Sequence, residues 1–131
     1  MLLDETRSEI RDTVRAYAQE RLKPLSASFE AEGGYPDWVF RELAELGLLG
    51  MTAPENLGGA GADTVTYVLA LIEIAAADGA LSTILSIQNS LMISGLIRYG
   101  SEIQQRRYLP SLIDGSMIGA FALAEAGAGS D

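Results

Sequence analysis

Apolar residues recur along the chain with helical spacing, and glycines and prolines interrupt them at a few places. The first run follows Asp4, a typical N-cap residue, and places Ile10 and Val14 on one stripe. Pro24 interrupts this run, and because proline cannot donate to the preceding turn, we predict a kinked helix that resumes to about Ala31. The other positions are mostly charged or amide residues, so this helix is amphipathic.

Two further elements follow the first helix. A short amphipathic helix is predicted between Pro36 and Gly47, since proline suits a first helical turn and glycine ends a helix. The next stretch, residues 51–63, is rich in glycine, contains a proline and lacks apolar periodicity. It is therefore predicted to be a loop, and Asp63 or Thr64 can cap the helix after it.

The middle of the chain contains the most apolar sequence. Residues 64–77 are apolar on nearly every side, which is typical of a central, buried helix. Its interior charge, Glu73, must face solvent, form a pair or become neutral. Another helix is predicted from about residue 81 to residue 94, and its polar members are small or carry amides, as in Gln88 and Asn89. Such residues line a cleft or pack closely against a neighbouring helix.

The last predicted helix gives way to a short apolar run. Ser101 and Gln104 form a capping-box signature that opens a helix ending before Gly115. Residues 117–124, MIGAFALA, then read as one buried β-strand. Since a single strand leaves its backbone donors and acceptors unsatisfied, its partners are expected from further sequence or another chain.

These elements predict an all-α fold. We expect an orthogonal or up-down bundle of five to six helices with one short C-terminal β-strand from an absent β-domain. The change in composition near Met117 places a boundary between a helical domain, residues 1–116, and a segment of strand and Gly-rich loop, residues 117–131.

Composition and charge exclude several functions. The 131 residues include 9 basic and 18 acidic side chains, a net charge of −9, so most of the surface would repel a nucleic acid backbone. Cysteine and histidine are absent, which removes disulfides, thiolate chemistry and the commonest metal ligands. We therefore predict no metal site, and any proton transfer would need a carboxylate, lysine, tyrosine or cofactor.

No targeting or membrane segment is predicted. The N-terminus lacks the pattern of a secretory or transit peptide, so a cytoplasmic location is expected. The apolar stretch over residues 64–97 contains Glu73 and Asp78 and is broken by Gly79, which favours buried helices over a membrane span.

A Gly-rich turn follows the predicted strand, and it is the clearest sign of ligand binding. In FALAEAGAGSD, residues 121–131, Gly127 and Gly129 leave no side-chain bulk to keep a phosphate, thioester or planar ring from the backbone amides. The Ser130 hydroxyl and the Asp131 carboxylate follow directly. Because the turn is the last element of the sequence, we expect it to form half of a site.

Three motifs together resemble the N-terminal helical domain of the acyl-CoA dehydrogenases, flavoenzymes that desaturate acyl thioesters between the α and β carbons. The first is ELAELGLLGMTAPENLGGAGAD, residues 42–63. The second is IQNSL, residues 87–91, set before YGSEIQQRRYLPSLIDGSMIGAF, and the third is FALAEAGAGSD. With their collinear helices they cover essentially the whole chain, so the joint match is far more specific than a Gly-rich turn alone.

The resemblance implies both a domain order and a set of site residues. In the family a β-domain and a C-terminal helical bundle follow the helical domain, so this chain is expected to stop on the first β-domain strand. The implied FAD contacts are Phe121, Ala122, Leu123, Ala124, Glu125, Ala126, Gly127, Ala128, Gly129 and Ser130. Ser130 is also implied to reach the acyl-CoA, and Ile84, Ile87 and Leu91 to form the deep wall of the acyl pocket.

The sequence departs from the family pattern at two positions. Ala124 stands where the family commonly has Thr or Ser, and its methyl group cannot hydrogen-bond the flavin ring. Ala126 stands where proline is common, which makes the turn less rigid. The family's catalytic glutamate belongs to the C-terminal bundle, so no catalytic residue is assigned among these 131 positions.

The resemblance implies the N-terminal portion of an FAD-dependent acyl-CoA dehydrogenase that is inactive as an isolated fragment. Its implied partners are an acyl-CoA substrate, an electron-transfer flavoprotein or similar acceptor, and copies of itself in a full-length homotetramer. An acyl-CoA oxidase and a dehydrogenase acting on a carrier-protein thioester remain alternatives. A non-catalytic helical binding or interaction domain is the alternative from another class.

Overall fold

The computed structural model describes residues 3–129 and is built almost entirely of helices. The α-helices are α1 (Glu5–Tyr17), α2 (Ser26–Glu32), α3 (Asp37–Glu45), α4 (Thr64–Ala77), α5 (Gly79–Ser86), α6 (Ser94–Tyr99) and α7 (Glu102–Ile113). A π turn and a 3-10 turn join α1 to α2, and a second π turn joins α5 to α6. The described residues thus form five continuous helical segments, which confirms the predicted all-α bundle.

The first segment bends but does not end at Pro24. The Asp4 carboxylate caps α1 by accepting from the Arg7 N–H at 2.8 Å. A π turn, Ala18–Leu22, and a 3-10 turn, Lys23–Leu25, carry the helix past the proline, which removes one backbone donor. Helix α2 then continues to Glu32, so the predicted kinked helix is confirmed.

The glycine-rich loop is tied to the helices at both ends. Gly47, in the left-handed region at φ 72°, follows α3, and a single 3-10 turn, Glu55–Leu57, interrupts the loop. At the far end the Asp63 carboxylate caps α4, accepting from the Thr66 N–H at 2.8 Å. A hydrogen bond from the Arg7 guanidinium and the capping N–H hold the pKa of Asp63 well below its usual range. The predicted loop and cap are confirmed.

Gly59 allows the loop to fold closely on itself, and this gives a test of the structure. A Cβ at position 59 would lie 2.1 Å from the Ala53 carbonyl oxygen, which already accepts from the Gly61 N–H at 2.9 Å. Because the atoms in the way are the carbonyl group and the Cβ of Ala53, none of which can swing aside by a change of rotamer, we expect Gly59→Ala to lower the free energy of unfolding of the 131-residue chain by about 2 kcal/mol in urea denaturation.

A matched variant controls for glycine replacement in general. At Gly95, in α6, an added Cβ would meet nothing within 4 Å. Gly95→Ala is therefore expected to raise stability by about 0.5 kcal/mol, because alanine loses less backbone entropy in a helix. Equal effects of the two substitutions would contradict the close approach at Gly59.

Helix α4 has one buried and one exposed apolar face. Ala70 and Ile74 are fully buried, but Val68 is 44% exposed and Ile72 is 55% exposed. The prediction of a helix buried on all sides is therefore wrong within the described residues. Burial needs a neighbour on each side, and α4 packs on α1 and α5 while its remaining face meets neither.

Glu73 forms a pair, which was one of the three outcomes expected for it. It is 8% exposed, and its carboxylate accepts from the Arg15 Nε at 3.0 Å and from Nη2 at 2.8 Å. This two-point contact satisfies a charge that would be costly to bury alone, and it fastens α4 to α1.

The apolar core has two parts. The larger cluster lies where α1, α3, α4 and α5 meet, around Leu22, Leu43, Ile74 and Leu85. The smaller cluster lies between α6, α7 and the loop, and its buried members are Ala53, Ile93, Leu109 and Leu112.

The long segment Gly79–Tyr99 crosses between the two clusters. By length and hydropathy alone it could span a membrane. In its middle, however, the side chains of Gln88 and Asn89 are fully buried and hydrogen-bonded to other parts of the chain. We therefore interpret it as a packed helix of the bundle.

The C-terminal part differs from the sequence prediction. The predicted capping box of Ser101 and Gln104 is confirmed, and α7 ends at Ile113. Residues 117–124 do not form the predicted β-strand, and within residues 3–129 the β pairing found is a single bridge between Glu125 and Ala128. The physical reason is that none of the described residues forms a second strand beside residues 117–124 to complete a ladder.

Candidate functional site

The implied flavin segment leaves the bundle after α7 and lies at the surface. Phe121 is 52% exposed and Leu123 is 76% exposed, and all described residues from 120 to 129 are classed as exposed. Ser130, assigned to both cofactor and substrate, lies outside the described residues, as does Asp131. The segment after α7 is therefore open to solvent.

A tight hairpin closes the segment. The Glu125 N–H donates to the Ala128 carbonyl at 2.8 Å, and the Ala128 N–H donates to the Glu125 carbonyl at 3.1 Å. Ala126 and Gly127 form the tip of this hairpin. The two reciprocal bonds give this turn a defined shape without proline.

The glycines of this turn are not required by the chain's own packing. Gly127 and Gly129 do not lie at positive φ, and a Cβ at either position would meet nothing within 4 Å. The bare backbone therefore borders open space, so a planar ring or a phosphate can approach the amides directly. This geometry fits the cofactor that the sequence implies.

The implied acyl wall is only partly assembled with the flavin segment. Leu91, 43% exposed, and Phe121 line the same groove of about 550 Å³, between α6, α7 and residues 117–121. The other lining residues include Met92, Leu96, Tyr99, Tyr108, Leu112 and Met117. Ile84 and Ile87 are half-buried one to two turns earlier and do not line this groove.

Gln88 is a functional candidate that the sequence reasoning did not assign to a site. Its Nε2 donates to the Leu112 carbonyl at 2.7 Å and to the Met117 carbonyl at 3.0 Å. Its Oε1 accepts from the Gly119 N–H at 2.8 Å. The available signal was a pair of adjacent amides, Gln88 and Asn89, inside an otherwise apolar helix.

Gln88 and Asn89 lie side by side in the π turn Ile87–Ile93, and both side chains are buried. Asn89 reaches the glycine-rich loop, where its Oδ1 accepts from the Met51 N–H at 2.8 Å and its Nδ2 donates to the Leu48 carbonyl at 2.8 Å. Gln88 instead reaches the C-terminal segment. The widened turn thus fixes the loop and the implied flavin segment from one point of the helix.

Comparison with known proteins decides the family. The family model described as "Acyl-CoA dehydrogenase, N-terminal domain" matches residues 4–116. The chain belongs to the acyl-CoA dehydrogenase family. The resemblance carried by the three sequence motifs is thereby confirmed.

Individual members of the acyl-CoA dehydrogenase family match nearly the whole chain. It is 39% identical to the short-chain specific mitochondrial acyl-CoA dehydrogenase of Mus musculus over 129 residues, 98% of this chain and 31% of the relative. A crystal structure of glutaryl-CoA dehydrogenase from Mycobacterium smegmatis matches with a TM-score of 0.91 and 40% identity, covering 99% of this chain and 34% of that one. Another glutaryl-CoA dehydrogenase structure from that organism, in complex with FADH2, matches with a TM-score of 0.91 and 37% identity, covering 98% and 33%.

The chain therefore spans about a third of the length of the relatives that it matches. The family model covers the helical bundle, and the fold described above is the fold of the family's N-terminal domain. The assignments of residues 121–130 and of Ile84, Ile87 and Leu91 to ligands stay predictions.

Proposed function

We propose that this chain is the N-terminal portion of an FAD-dependent acyl-CoA dehydrogenase, which desaturates an acyl-CoA thioester between its α and β carbons. The observation that carries the proposal is the combination of the family match over residues 4–116 with the open, glycine-lined backbone that follows it. Residues 121–129, which are exposed and not helical, are among those that the family resemblance assigns to the flavin.

The cofactor proposed for this site is FAD. Among the described residues, 121–129 would hold it, with Phe121 against the groove and the turn at Gly127 offering backbone amides. When bound, FAD supplies the acceptor for the hydride that leaves the β carbon. Ala124 offers only a methyl group, so contacts there are apolar or made by its backbone.

The substrate proposed is an acyl thioester of coenzyme A. Leu91 and the apolar walls of the groove suit an aliphatic chain, and burying an unpaired carboxylate against them would be costly. Ile84 and Ile87, which stand apart from the groove, would extend this apolar surface deeper along the same helix. Ser130 is proposed to lie where flavin and thioester meet.

Other components of the proposed enzyme would come from the β-domain and the C-terminal helical bundle that the family resemblance implies. We place the catalytic base, most of the flavin site and the contacts of a homotetramer outside these 131 residues. Electrons would pass to an electron-transfer flavoprotein or a similar acceptor, and the location proposed is cytoplasmic.

Flavin content tests the proposal. The polypeptide translated from the complete reading frame is expected to purify yellow, and anaerobic addition of a straight-chain acyl-CoA should bleach the visible flavin absorbance as FAD is reduced. The 131-residue chain alone should show no dehydrogenase activity, which makes it the matched control. A complete protein that is colourless and indifferent to added FAD would contradict the proposal and favour a helical interaction domain.

A further inference from the structure

Within the described residues, the hydrogen bonds that fasten the C-terminal segment to the bundle come from residues 116–119. The Ser116 N–H donates to the Asp114 carboxylate at 2.8 Å, and the Met117 N–H donates to the Ser111 carbonyl at 2.9 Å. These contacts continue the end of α7. The next contacts are made by Gln88, which receives the Gly119 N–H and donates to the Met117 carbonyl.

Gly119 is the last residue of the segment that is hydrogen-bonded to the helices within the described residues. A Cβ at position 119 would lie 2.4 Å from the Met92 Cγ, so the segment crosses directly over the helix there. Within residues 3–129, no hydrogen bond joins residues 120–124 to the helices. Gln88 and Met92 are therefore the last points that set the direction of the segment before the implied flavin contacts begin.

Gln88 is well suited to hold a backbone in place. Its side chain is fully buried, and three of its four hydrogen-bonding positions are used, on residues from α7 and from the C-terminal segment. Gln88 lies within the π turn Ile87–Ile93. Because a buried amide without partners is costly, the native geometry of these three bonds is strongly favoured.

We propose that Gln88 is a positioning residue for the flavin: it sets where residues 121–129 leave the bundle and so where the cofactor lies relative to the acyl groove. This inference rests on the proposed function. It assigns a role in flavin binding to Gln88, a residue that would contact neither the flavin nor the substrate. Leu91, three positions later on the same helix, lines the groove, so one helix would align both the flavin segment and the acyl wall.

The test compares two glutamines. Gln88→Met keeps the side-chain volume and removes all three hydrogen bonds. Gln105→Met is the matched control, because the Gln105 Nε2 also donates to two carbonyls, Ile97 at 3.2 Å and Gly100 at 3.0 Å, but contacts no part of the C-terminal segment. In the 131-residue chain, Gln88→Met should raise the hydrogen-exchange rate of the Gly119 amide about tenfold more than it raises the exchange rates of the α4 amides. Gln105→Met should cause no such selective increase.

The second arm uses the complete polypeptide. Gln88→Met is expected to weaken FAD binding by about tenfold and to shift the visible flavin spectrum, while Gln105→Met leaves both unchanged. Unchanged FAD affinity and spectrum in Gln88→Met, or exchange at Gly119 equal to wild type, would overturn the inference. A wild-type protein that binds no FAD would instead overturn the proposed function, and the exchange result would still show whether Gln88 anchors the segment.

A variant on the other side of the contact covers a failure of Gln88→Met to fold. Gly119→Pro, combined with Met92→Ala to make room for the ring, removes the N–H that Gln88 Oε1 accepts and leaves the buried amide bonded to Leu112 and Met117. It should weaken FAD binding relative to Met92→Ala alone. Equal affinities of these two variants would count against the inference.

Discussion

Replacing Asn89 with leucine is expected to lower the free energy of unfolding by about 4 kcal/mol, since each buried backbone group left without a partner costs about 2 kcal/mol. Asn89 is fully buried, and it satisfies the Met51 N–H and the Leu48 carbonyl of the glycine-rich loop. Leucine has a similar size, so the loss comes from polar groups and not from a cavity. Urea denaturation of the 131-residue chain, followed by circular dichroism, measures the change.

The neighbouring Ser90 provides the control. It is exposed, and its hydroxyl donates to the Ser86 carbonyl of its own helix at 2.6 Å. Ser90→Ala is therefore expected to change stability by less than about 0.5 kcal/mol. A loss below about 1 kcal/mol for Asn89→Leu would show that the loop finds other partners and is not held by this amide.

Asp78→Ala is expected to lower the free energy of unfolding by about 3 kcal/mol at neutral pH, because one carboxylate serves three parts of the fold. It caps α5 by accepting from the Leu81 N–H at 2.9 Å, and it accepts from the hydroxyls of Tyr35 at 2.7 Å and Ser26 at 2.8 Å. These contacts join the α4–α5 junction to α2 and to the turn before α3.

The same carboxylate predicts a dependence on pH. Burial acts to raise the pKa of Asp78, but the hydrogen bonds from Leu81, Tyr35 and Ser26 outweigh it and lower the pKa below its ordinary value. A lowered folded-state pKa means that the stabilisation is complete above the unfolded pKa of about 3.9 and is lost as pH falls through the folded value. The stability difference between wild type and Asp78→Ala should therefore be constant near neutrality and shrink in acid.

Ser101→Ala measures the loss of a helix cap alone, without the contacts from Tyr35 and Ser26 that Asp78 also makes. Ser101 is an exposed N-cap of α7 without partners beyond its own helix, so its loss should cost about 1 kcal/mol with no acid dependence. If Asp78→Ala cost no more than Ser101→Ala, the contacts from Tyr35 and Ser26 would contribute nothing to stability.

The features that the sequence predicts correctly depend on neighbouring residues. Asp4, Asp63 and Ser101 cap helices because each side chain accepts from the N–H three residues later. The bend at Pro24 likewise needs no information from elsewhere in the chain. These local rules place the start of every helical segment found in the described residues to within about two positions. The helix predicted to end near Ser94 instead continues to Tyr99.

The predictions that fail depend on distant partners. Apolar periodicity identifies α4 but cannot show that Val68 and Ile72 would face outward, since that is decided by where α1 and α5 pack. The strand expected over residues 117–124 likewise needs a ladder partner that no residue between 3 and 129 supplies.

In the candidate site, too, features set by neighbouring residues are predicted and features set by distant contacts are not. Motifs indicate the Gly-rich turn, yet the groove shared by Leu91 and Phe121 depends on the path of residues 117–121 across α6 and α7. The role of Gln88 was hidden because the sequence shows two adjacent amides in an apolar helix but not which distant segment packs on each of them, the glycine-rich loop on Asn89 and residues 117–119 on Gln88.

The π turn also lets the chain carry one residue more than a regular helix at one place. A wide turn holds one residue more than a regular helical turn, so α6 is rotated by roughly 100° from where an unbroken α-helix would carry it. Leu96 and Tyr99 line the groove because of that rotation. A homologous sequence one residue shorter between positions 87 and 93 would bring the same α6 side chains to the groove through a regular α-helix, because the π turn is what absorbs the extra residue. A one-residue gap in an alignment at these positions is therefore compatible with an unchanged groove.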